Sequence, residues 1–196
     1  MKVLELFAGT RSIGRAFESH GHQVFSVEWD KRFENIDLYA DVLTVTDEQI
    51  IKEFGRPDVI WASPDCTTYS VAAISTHRKR DANGNLLPVT EYARFCDNVN
   101  AHVVELIKKL APKYWFIENP VGGLRKMDFM KDMPRYTVTY CQYGERRQKP
   151  TDMSLLSLAT EPCQAVSHSR ASITYLLRLT ICLSFLTTTT CRLIVL

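Results

Sequence analysis

The sequence predicts an α/β protein built on a doubly wound, mostly parallel β-sheet. Two observations lead to this fold class. Short apolar runs of strand length occur along the chain, and they alternate with segments in which apolar residues recur at the helical period. A parallel pair needs a long crossover connection, usually a helix, so this alternation favours parallel pairing over hairpins.

Each element follows from its local pattern. We expect strands at residues 3–7, 23–27, 39–42, 58–61, 114–117 and 136–141, and helices at residues 11–20, 47–54 and 90–110. Gly21 ends the first helix and Pro112 ends the last one. The last helix is expected to bury five apolar side chains: Phe95, Val99, Val103, Leu106 and Leu110. The polar residues 67–88 are expected to form a long loop without regular structure.

Composition narrows the class of protein. Hydrophobic residues make up 45% and charged residues 23% of the 196 residues, which is ordinary for one globular domain. The net charge of +2 gives no nucleic-acid signal in bulk, so any basic footprint must be local. None of the six cysteines forms a C-x-x-C pair, and no metal site is predicted. The first residues run straight into a strand pattern, so we expect no cleavable signal and a cytoplasmic protein with free thiols.

The composition changes near residue 154. Residues 154–196 contain only four charged side chains, whereas the whole chain has 24 Lys and Arg and 22 Asp and Glu. The apolar run at 173–186 is interrupted by Arg178 and by hydroxyl groups, so it does not predict a membrane span. We interpret residues 1–153 as one domain and residues 154–196 as an atypical tail, either non-native, for instance frame-shifted, or an unusual genuine segment.

A strand, a glycine turn and a helix follow one another at residues 7–14. The turn contains Phe7, Ala8, Gly9, Thr10 and Arg11. Free N–H groups at the helix start attract anions, but the segment is neither G-x-G-x-x-G nor a phosphate loop. A cofactor with an adenosine and no phosphates, such as S-adenosylmethionine, therefore fits better than a dinucleotide. Alternatively, the turn only packs the helix on the strand.

Three side chains near the second and third strands suit an adenosine. Glu28 stands 19 residues after Gly9, at the end of the second strand, where it could accept hydrogen bonds from both ribose hydroxyls. Trp29 could stack on an adenine, and Asp41 could accept from its amino group. Taken singly, each has a plainer interpretation, as a solvated carboxylate or a core tryptophan.

Cys66 lies on a loop directly after the apolar strand 58–61, at the sheet edge where such folds bind ligands. The turn formers Ser63, Pro64 and Thr67 surround it, so we predict a nucleophile rather than a small buried hydrophobe. A following helix N-terminus would lower the pKa of the thiol, and the neighbouring Asp65 would raise it.

A carboxylate and a basic cluster complete the candidate site. Glu118 follows the apolar strand 114–117, so it is either solvated or partly buried and held protonated, as a hydrogen-bond donor. Arg146, Arg147 and Lys149 follow the last predicted strand and form either a solvated face or a site for an anion or a base.

In order and spacing, six segments of the chain resemble the cytosine-C5 DNA methyltransferases, most of all the compact phage-type members. They are residues 7–9, 28–29, 41–42, 63–66, 118–120 and 143–147, and the resemblance covers about residues 1–152. It implies a Rossmann-like S-adenosylmethionine-dependent methyltransferase fold, incomplete within residues 1–153. It also implies DNA as the partner, a monomer, and a target cytosine flipped into the pocket.

The same resemblance assigns roles to residues. Cys66 would attack C6 of cytosine, Glu118 would engage N3 and the exocyclic amine, and Arg147 or Arg146 would hold the flipped base. The S-adenosylmethionine site would be formed by Phe7, Ala8, Gly9, Thr10, Arg11, Glu28, Trp29, Asp41, Val42 and Ser63.

The sequence also departs from the family pattern. Asp65 stands where most members have proline, and residues 153–196 contain no match to the family's asparagine-containing C-terminal motif. We expect no separate target-recognition domain, so specificity would fall to residues 67–88 and 124–134. We therefore expect weak or absent activity. Two alternatives stay open: a non-catalytic remnant that binds cofactor or DNA, and a nicotinamide-dependent oxidoreductase, which the missing third glycine disfavours.

Overall fold

The computed structural model describes residues 1–139 and 149–157. Its strands are β1 (Lys2–Leu6), β2 (Gln23–Glu28), β3 (Leu38–Tyr39), β4 (Val59–Ala62), β5 (Arg78–Arg80), β6 (Leu86–Pro88), β7 (Tyr114–Pro120), β8 (Arg135–Thr139) and β9 (Pro150–Ser157). Its α-helices are α1 (Ser12–Glu18), α2 (Asp47–Glu53), α3 (Ile74–His77) and α4 (Glu91–Leu110). Short 3-10 turns cover Val42–Thr44, Thr67–Tyr69 and Leu124–Lys126.

Seven strands form one sheet in the order β3-β2-β1-β4-β7-β9-β8. The first five are parallel to their neighbours, whereas β9 lies antiparallel between β7 and β8. From β1 the chain continues to β2 and β3 on one side of β1, and it then returns to add β4 on the other side of β1. The strand order therefore reverses between β1 and β4, where a crevice opens at their carboxyl ends. The predicted α/β, mostly parallel fold class is confirmed.

The two faces of the sheet bury separate cores. Along β1, Val3 packs with Phe17 of α1 on one face, and Leu4 packs with the apolar side of α4 on the other. Successive strand residues point to opposite faces, so a strand covered on both sides is mostly apolar. This is why β4 and the first four residues of β7 read as continuous apolar runs, and why β1 reads as an apolar run interrupted only by the buried Glu5.

The prediction of an unstructured loop at residues 67–88 is wrong. This segment contains the 3-10 turn, α3 and the antiparallel hairpin of β5 and β6. Its buried guanidinium, that of Arg78, is bonded to Thr68 inside the segment and to Asp97 of α4 outside it. Tertiary contacts of this kind stabilise structure that the polar composition conceals. The expected burial of Phe95 is also wrong, because this side chain is 45% exposed and faces the cavity described below.

Other predicted strands also differ from the structure in their bounds. Strand β7 extends through Glu118, Asn119 and Pro120, since β9 pairs with it along its whole length. Strand β9 was not predicted, and it runs through Ser157, across the proposed domain boundary at residue 153. That boundary stays a prediction, and Arg146, Arg147 and residues 158–196 lie outside the described residues. Within the described ranges, no helix is both long and apolar enough to cross a bilayer.

Candidate active site at the carboxyl edge of the sheet

A cavity of about 430 Å³ opens at the carboxyl edge of the sheet, beside the reversal in strand order. This volume lies in the range of small-molecule sites. Its walls come from the turn after β1, the end of β2, the loop after β4 and one side of α4. The lining residues are Phe7, Glu28, Trp29, Asp41, Val42, Pro64, Asp65, Tyr92, Phe95, Cys96, Val99 and Asn100.

The turn after β1 has an unusual backbone. Phe7, Gly9 and Arg11 all take positive φ values, of 59°, 49° and 56°. Phe7 and Arg11 do so at a steric cost, because side chains disfavour the left-handed region. No atom lies within 4 Å of the position where a Cβ on Gly9 would stand, so the backbone there is open to close approach by a ligand.

Glu28 is fixed at the end of β2 before any ligand arrives. One carboxylate oxygen accepts from the Gly9 N–H at 2.9 Å, and the other accepts from the N–H groups of Trp29 and Asp30, both at 3.0 Å. The side chain is only 6% exposed and lines the cavity. A carboxylate held in this way presents its remaining lone pairs in one direction, as a ribose diol requires.

Trp29 and Asp41 flank this carboxylate. The indole of Trp29 is 70% exposed at the cavity, so it is not the core residue of the alternative interpretation. Asp41 caps the following 3-10 turn through one oxygen, which accepts from the Leu43 N–H at 3.0 Å. Its carboxylate also lines the cavity. The residues present therefore fit an adenosine-containing cofactor.

Cys66 is the fourth residue after β4, at the other side of the crevice, and is the N-cap residue of the turn Thr67–Tyr69. The thiol is half-buried. Burial raises its pKa, as does the charge of Asp65, and the charge of Lys149 opposes them. The sequence left the direction of the shift open; a turn of only three residues does not outweigh burial and Asp65.

Glu118 ends up at the same edge as Cys66. In the β4–β7 register Ala62 pairs with Ile117, so Glu118 extends one residue past the end of β4. The next residue, Asn119, donates from its amide nitrogen to the carbonyl oxygen of Pro64 at 3.0 Å. Glu118 is half-buried, and its charge is close enough to contribute to the raised pKa of Cys66.

Comparison with known proteins now bears on this geometry. The family model for C-5 cytosine-specific DNA methylases matches residues 1–143. The chain belongs to this family. A curated relative from Frog virus 3, named a probable DNA (cytosine-5)-methyltransferase, is 29% identical over 155 residues, which is 74% of this chain and 65% of the relative. Membership in the methylase family argues against the nicotinamide-dependent alternative.

Solved structures agree on the fold. A DNA modification methyltransferase encoded within an E. coli prophage has a TM-score of 0.55 at 16% identity, over 79% of this chain and 46% of that one. The S. pombe Dnmt2 methyltransferase has a TM-score of 0.57 at 13% identity, over 86% and 54%. These matches confirm the Rossmann-like methyltransferase fold. The chain spans about half to two thirds of the length of the relatives it matches.

The methylase-family motifs do not all face the cavity. Phe7, Glu28, Trp29, Asp41 and Val42 line it. The remaining predicted cofactor residues, Ala8, Gly9, Thr10, Arg11 and Ser63, lie in the adjoining turns and are absent from its lining. The Arg11 guanidinium pairs with Glu18 along α1, and the Ser63 hydroxyl accepts from the Trp61 indole N–H at 2.9 Å. Arg147 lies outside the described residues.

Helix α4 supplies lining residues that the sequence analysis missed. Tyr92, Cys96 and Asn100 recur every four residues along it, so they share the face that borders the cavity. That spacing was visible in the sequence as a stripe. It did not indicate a site, because the same spacing is typical of any helix face that packs on a core.

A second missed group holds the segment after Cys66 in place. The Arg78 guanidinium, fully buried, donates to both carboxylate oxygens of Asp97 at 2.7 and 2.9 Å and lies 4.2 Å from the ring of Tyr69. It also donates to the carbonyl oxygen of Thr68 at 2.9 Å. Tyr69 in turn donates to Asp97 at 2.7 Å. No local pattern marks these residues, because they are far apart in the sequence.

Proposed function

We propose that this chain is a DNA (cytosine-5-)-methyltransferase that uses S-adenosylmethionine and forms a transient bond between Cys66 and the target cytosine. One observation carries the proposal. In a member of the C-5 cytosine-specific methylase family, the Cys66 loop and the end of β7 with Glu118 emerge at one sheet edge, beside the cavity that contains Glu28. Pro64 and Asp65 of the Cys66 loop line that cavity, so the proposed nucleophile and carboxylate would lie beside the proposed cofactor.

The cofactor half of the proposal rests on the cavity. Glu28 would bind the ribose hydroxyls, Trp29 would cover the adenine, and Asp41 would accept from its amino group. The open backbone at Gly9 would allow the ligand to approach the turn closely. S-adenosylmethionine bound there would supply an activated methyl group.

The base half of the proposal rests on Cys66. C5 of cytosine is a poor nucleophile until C6 is saturated, so a covalent route is needed. The Cys66 thiolate would add to C6 and shift electron density to C5. After C5 is methylated, a water molecule would take the C5 proton, the electron pair of that C–H bond would form the C5–C6 double bond again, and the sulfur would depart from C6 as a thiolate. Because the pKa of the free thiol is raised, a positive charge is needed nearby, and the ammonium of Lys149 acts in that direction.

Glu118 would bind the edge of the cytosine ring that carries N3 and the exocyclic amine. From the end of β7 it would contact N3 and the exocyclic amine, which stabilises the charge that develops when sulfur adds to C6. Arg147 or Arg146 would hold the base from the segment before β9. Lys79 and Arg80 are exposed on the hairpin after Cys66, where they suit contacts to DNA phosphates.

A suicide substrate tests the function directly. The chain is incubated with a duplex containing 5-fluorocytosine and S-adenosylmethionine, and covalent protein–DNA complexes are resolved under denaturing conditions. Fluorine cannot leave C5 as a proton does, so the adduct persists. We expect an adduct for the wild type, none for Cys66→Ala, and an undiminished one for the thiol control Cys182→Ala. Methyl transfer from labelled cofactor to ordinary DNA is measured in parallel.

The outcomes separate the function from its alternative. Adduct formation that survives Cys66→Ala contradicts the proposed nucleophile. Cofactor binding by calorimetry without adduct or transfer, both here and in a chain extended to the length of its relatives, would identify a binding remnant instead. The shorter span of this chain relative to the viral methyltransferase is the observation that keeps this second candidate in the test.

A further inference from the structure

We propose that the hydrogen bond between Asp65 and Tyr92 positions the nucleophile loop against α4, in place of the rigidity that a proline before the cysteine would give. Asp65 and Tyr92 are thus positioning residues that act through Cys66. The inference rests on the proposed function for its catalytic meaning, but the contact itself can be tested on the thiol without any methyl transfer.

Asp65 is bonded on both sides. One carboxylate oxygen accepts from the N–H of Thr67, closing a tight turn around Cys66. The other accepts from the hydroxyl of Tyr92 at 2.8 Å. The two bonds hold the Asp65 carboxylate in one orientation, so the residue directly before Cys66 is joined both to the turn and to α4.

Tyr92 anchors the contact to a rigid element. It lies in the first turn of α4, where the Thr90 hydroxyl accepts from the Ala93 N–H at 3.2 Å and caps the helix. The His77 ring approaches Tyr92 edge-on with centroids 6.0 Å apart and also contacts the Thr90 hydroxyl. Both Asp65 and Tyr92 line the cavity that contains Glu28. The hydrogen bond between them, which we call the tether, therefore forms part of the cavity wall.

The charges around this loop are defined. Burial alone would raise the pKa of Asp65, but the hydrogen bonds from Thr67 and Tyr92 and the charge of His77 outweigh it and lower that pKa. Asp65 is therefore ionised at neutral pH. Around Cys66, the charges of Asp65 and Glu118 oppose formation of the thiolate and that of Lys149 favours it. An aspartate at this position thus adds order and removes some reactivity, whereas proline supplies order alone.

The test is the rate of alkylation of Cys66 by iodoacetamide across a range of pH, followed by mass spectrometry of the Cys66 peptide. Asp65→Asn keeps an acceptor for Thr67 and loses the charge, so the midpoint of the pH profile should move down by about half a unit or more. Tyr92→Phe leaves the charge of Asp65 in place and removes the tether, together with the contact between the Tyr92 hydroxyl and the Cys96 thiol. The rate at the high-pH plateau should therefore rise severalfold as the Cys66 thiol becomes more accessible.

Matched variants and a double substitution make the test decisive. Asp81→Asn alters an aspartate that closes a similar turn in the hairpin, and Tyr39→Phe alters a tyrosine of similar exposure that donates to the Phe33 carbonyl. Neither should move the profile. In an Asp65→Pro background, Tyr92→Phe should have no further effect, because the bond it removes is already absent.

Two results would overturn the inference. One is a Tyr92→Phe protein with the wild-type midpoint and plateau, and the other is an equal effect of Tyr92→Phe with and without Asp65. Neither depends on methyl transfer. If the expected shifts appear while the 5-fluorocytosine adduct does not, the tether stands and the proposed function fails. If the adduct forms and the shifts do not appear, the function stands and the tether fails.

Discussion

The side-chain amide of Asn119 donates to the carbonyl oxygen of Pro64 at 3.0 Å, across 55 positions of sequence. This bond ties the end of β7 to the loop that carries Cys66. Asn119 is buried, and its amide oxygen has no hydrogen-bond partner among the described residues. The bond therefore fixes the distance between the segments that present Cys66 and Glu118, rather than serving as one link in a larger network.

Replacing Asn119 tests this role. Asn119→Ala should lower the free energy of unfolding by about 1–3 kcal/mol, because the buried Pro64 carbonyl loses its donor. Adduct formation with 5-fluorocytosine DNA should fall more than cofactor binding does. Denaturant titration and calorimetry measure the two effects. Asn98→Ala, an exposed asparagine on α4, is the control. Equal losses of cofactor binding and adduct would show that Asn119 supports the fold alone.

Glu28 should decide cofactor affinity. Glu28→Gln removes the charge and replaces one accepting oxygen by an NH2 group, so the side chain can no longer accept from Gly9, from Trp29 and Asp30, and from a ribose diol at once. We expect S-adenosylmethionine binding to weaken by about 10- to 100-fold, on the order of 1.4–2.8 kcal/mol. Isothermal calorimetry measures it. Glu34→Gln, at an exposed glutamate six positions later, should bind as the wild type does. Unchanged affinity in Glu28→Gln would remove Glu28 from the cofactor site.

Glu5 should make stability fall as the pH rises. Burial beneath α1 raises its pKa to about 7, although one oxygen accepts from the Gly14 N–H at 2.9 Å. The other oxygen is buried without a partner in the described structure. The folded chain therefore holds this proton more tightly than the unfolded chain. The contribution of this bound proton to the free energy of unfolding is present in full below the unfolded pKa of 4.5 and is lost as the pH rises through 7.

The isosteric variant Glu5→Gln isolates this effect, because glutamine stays neutral and keeps an acceptor for Gly14. We measure the free energy of unfolding in urea at pH 5 and at pH 8. Between these two values the wild type should lose about 2–3 kcal/mol relative to the variant. Glu48→Gln, on the exposed side of α2, should gain nothing. A wild type whose stability does not decline over this range would show that Glu5 titrates normally.

Local sequence predicted the parallel sheet well. Strand β4 and the first four residues of β7 are buried on both faces, so their apolar runs gave a clear signal, and β1 gave the same signal despite Glu5. The helix α4 was predicted to within one residue because its apolar period and Pro112 agree, and the structure adds Thr90 as its N-cap. Strand β9 was missed because it lies at the edge of the composition change and derives its strand character from pairing with β7 and β8.

In the candidate site, too, some residues could be predicted from the local sequence and others could not. Glu28, Trp29 and Asp41 could be placed from their positions at strand ends, since parallel topology brings those ends together. The contributions of α4 and of Arg78 could not, because a helix face or a charged residue looks the same in sequence whether it borders solvent or a cavity.

The sequence by itself determined which strands are buried, and hence the edge at which Cys66 and Glu118 emerge, because burial is written into runs of apolar residues. Only the tertiary structure decided what holds Cys66 there. The bonds from Tyr92 to Asp65 and from Asn119 to Pro64 join residues 27 and 55 positions apart. A hydrogen bond between distant side chains depends on how the elements pack, and no local pattern encodes it.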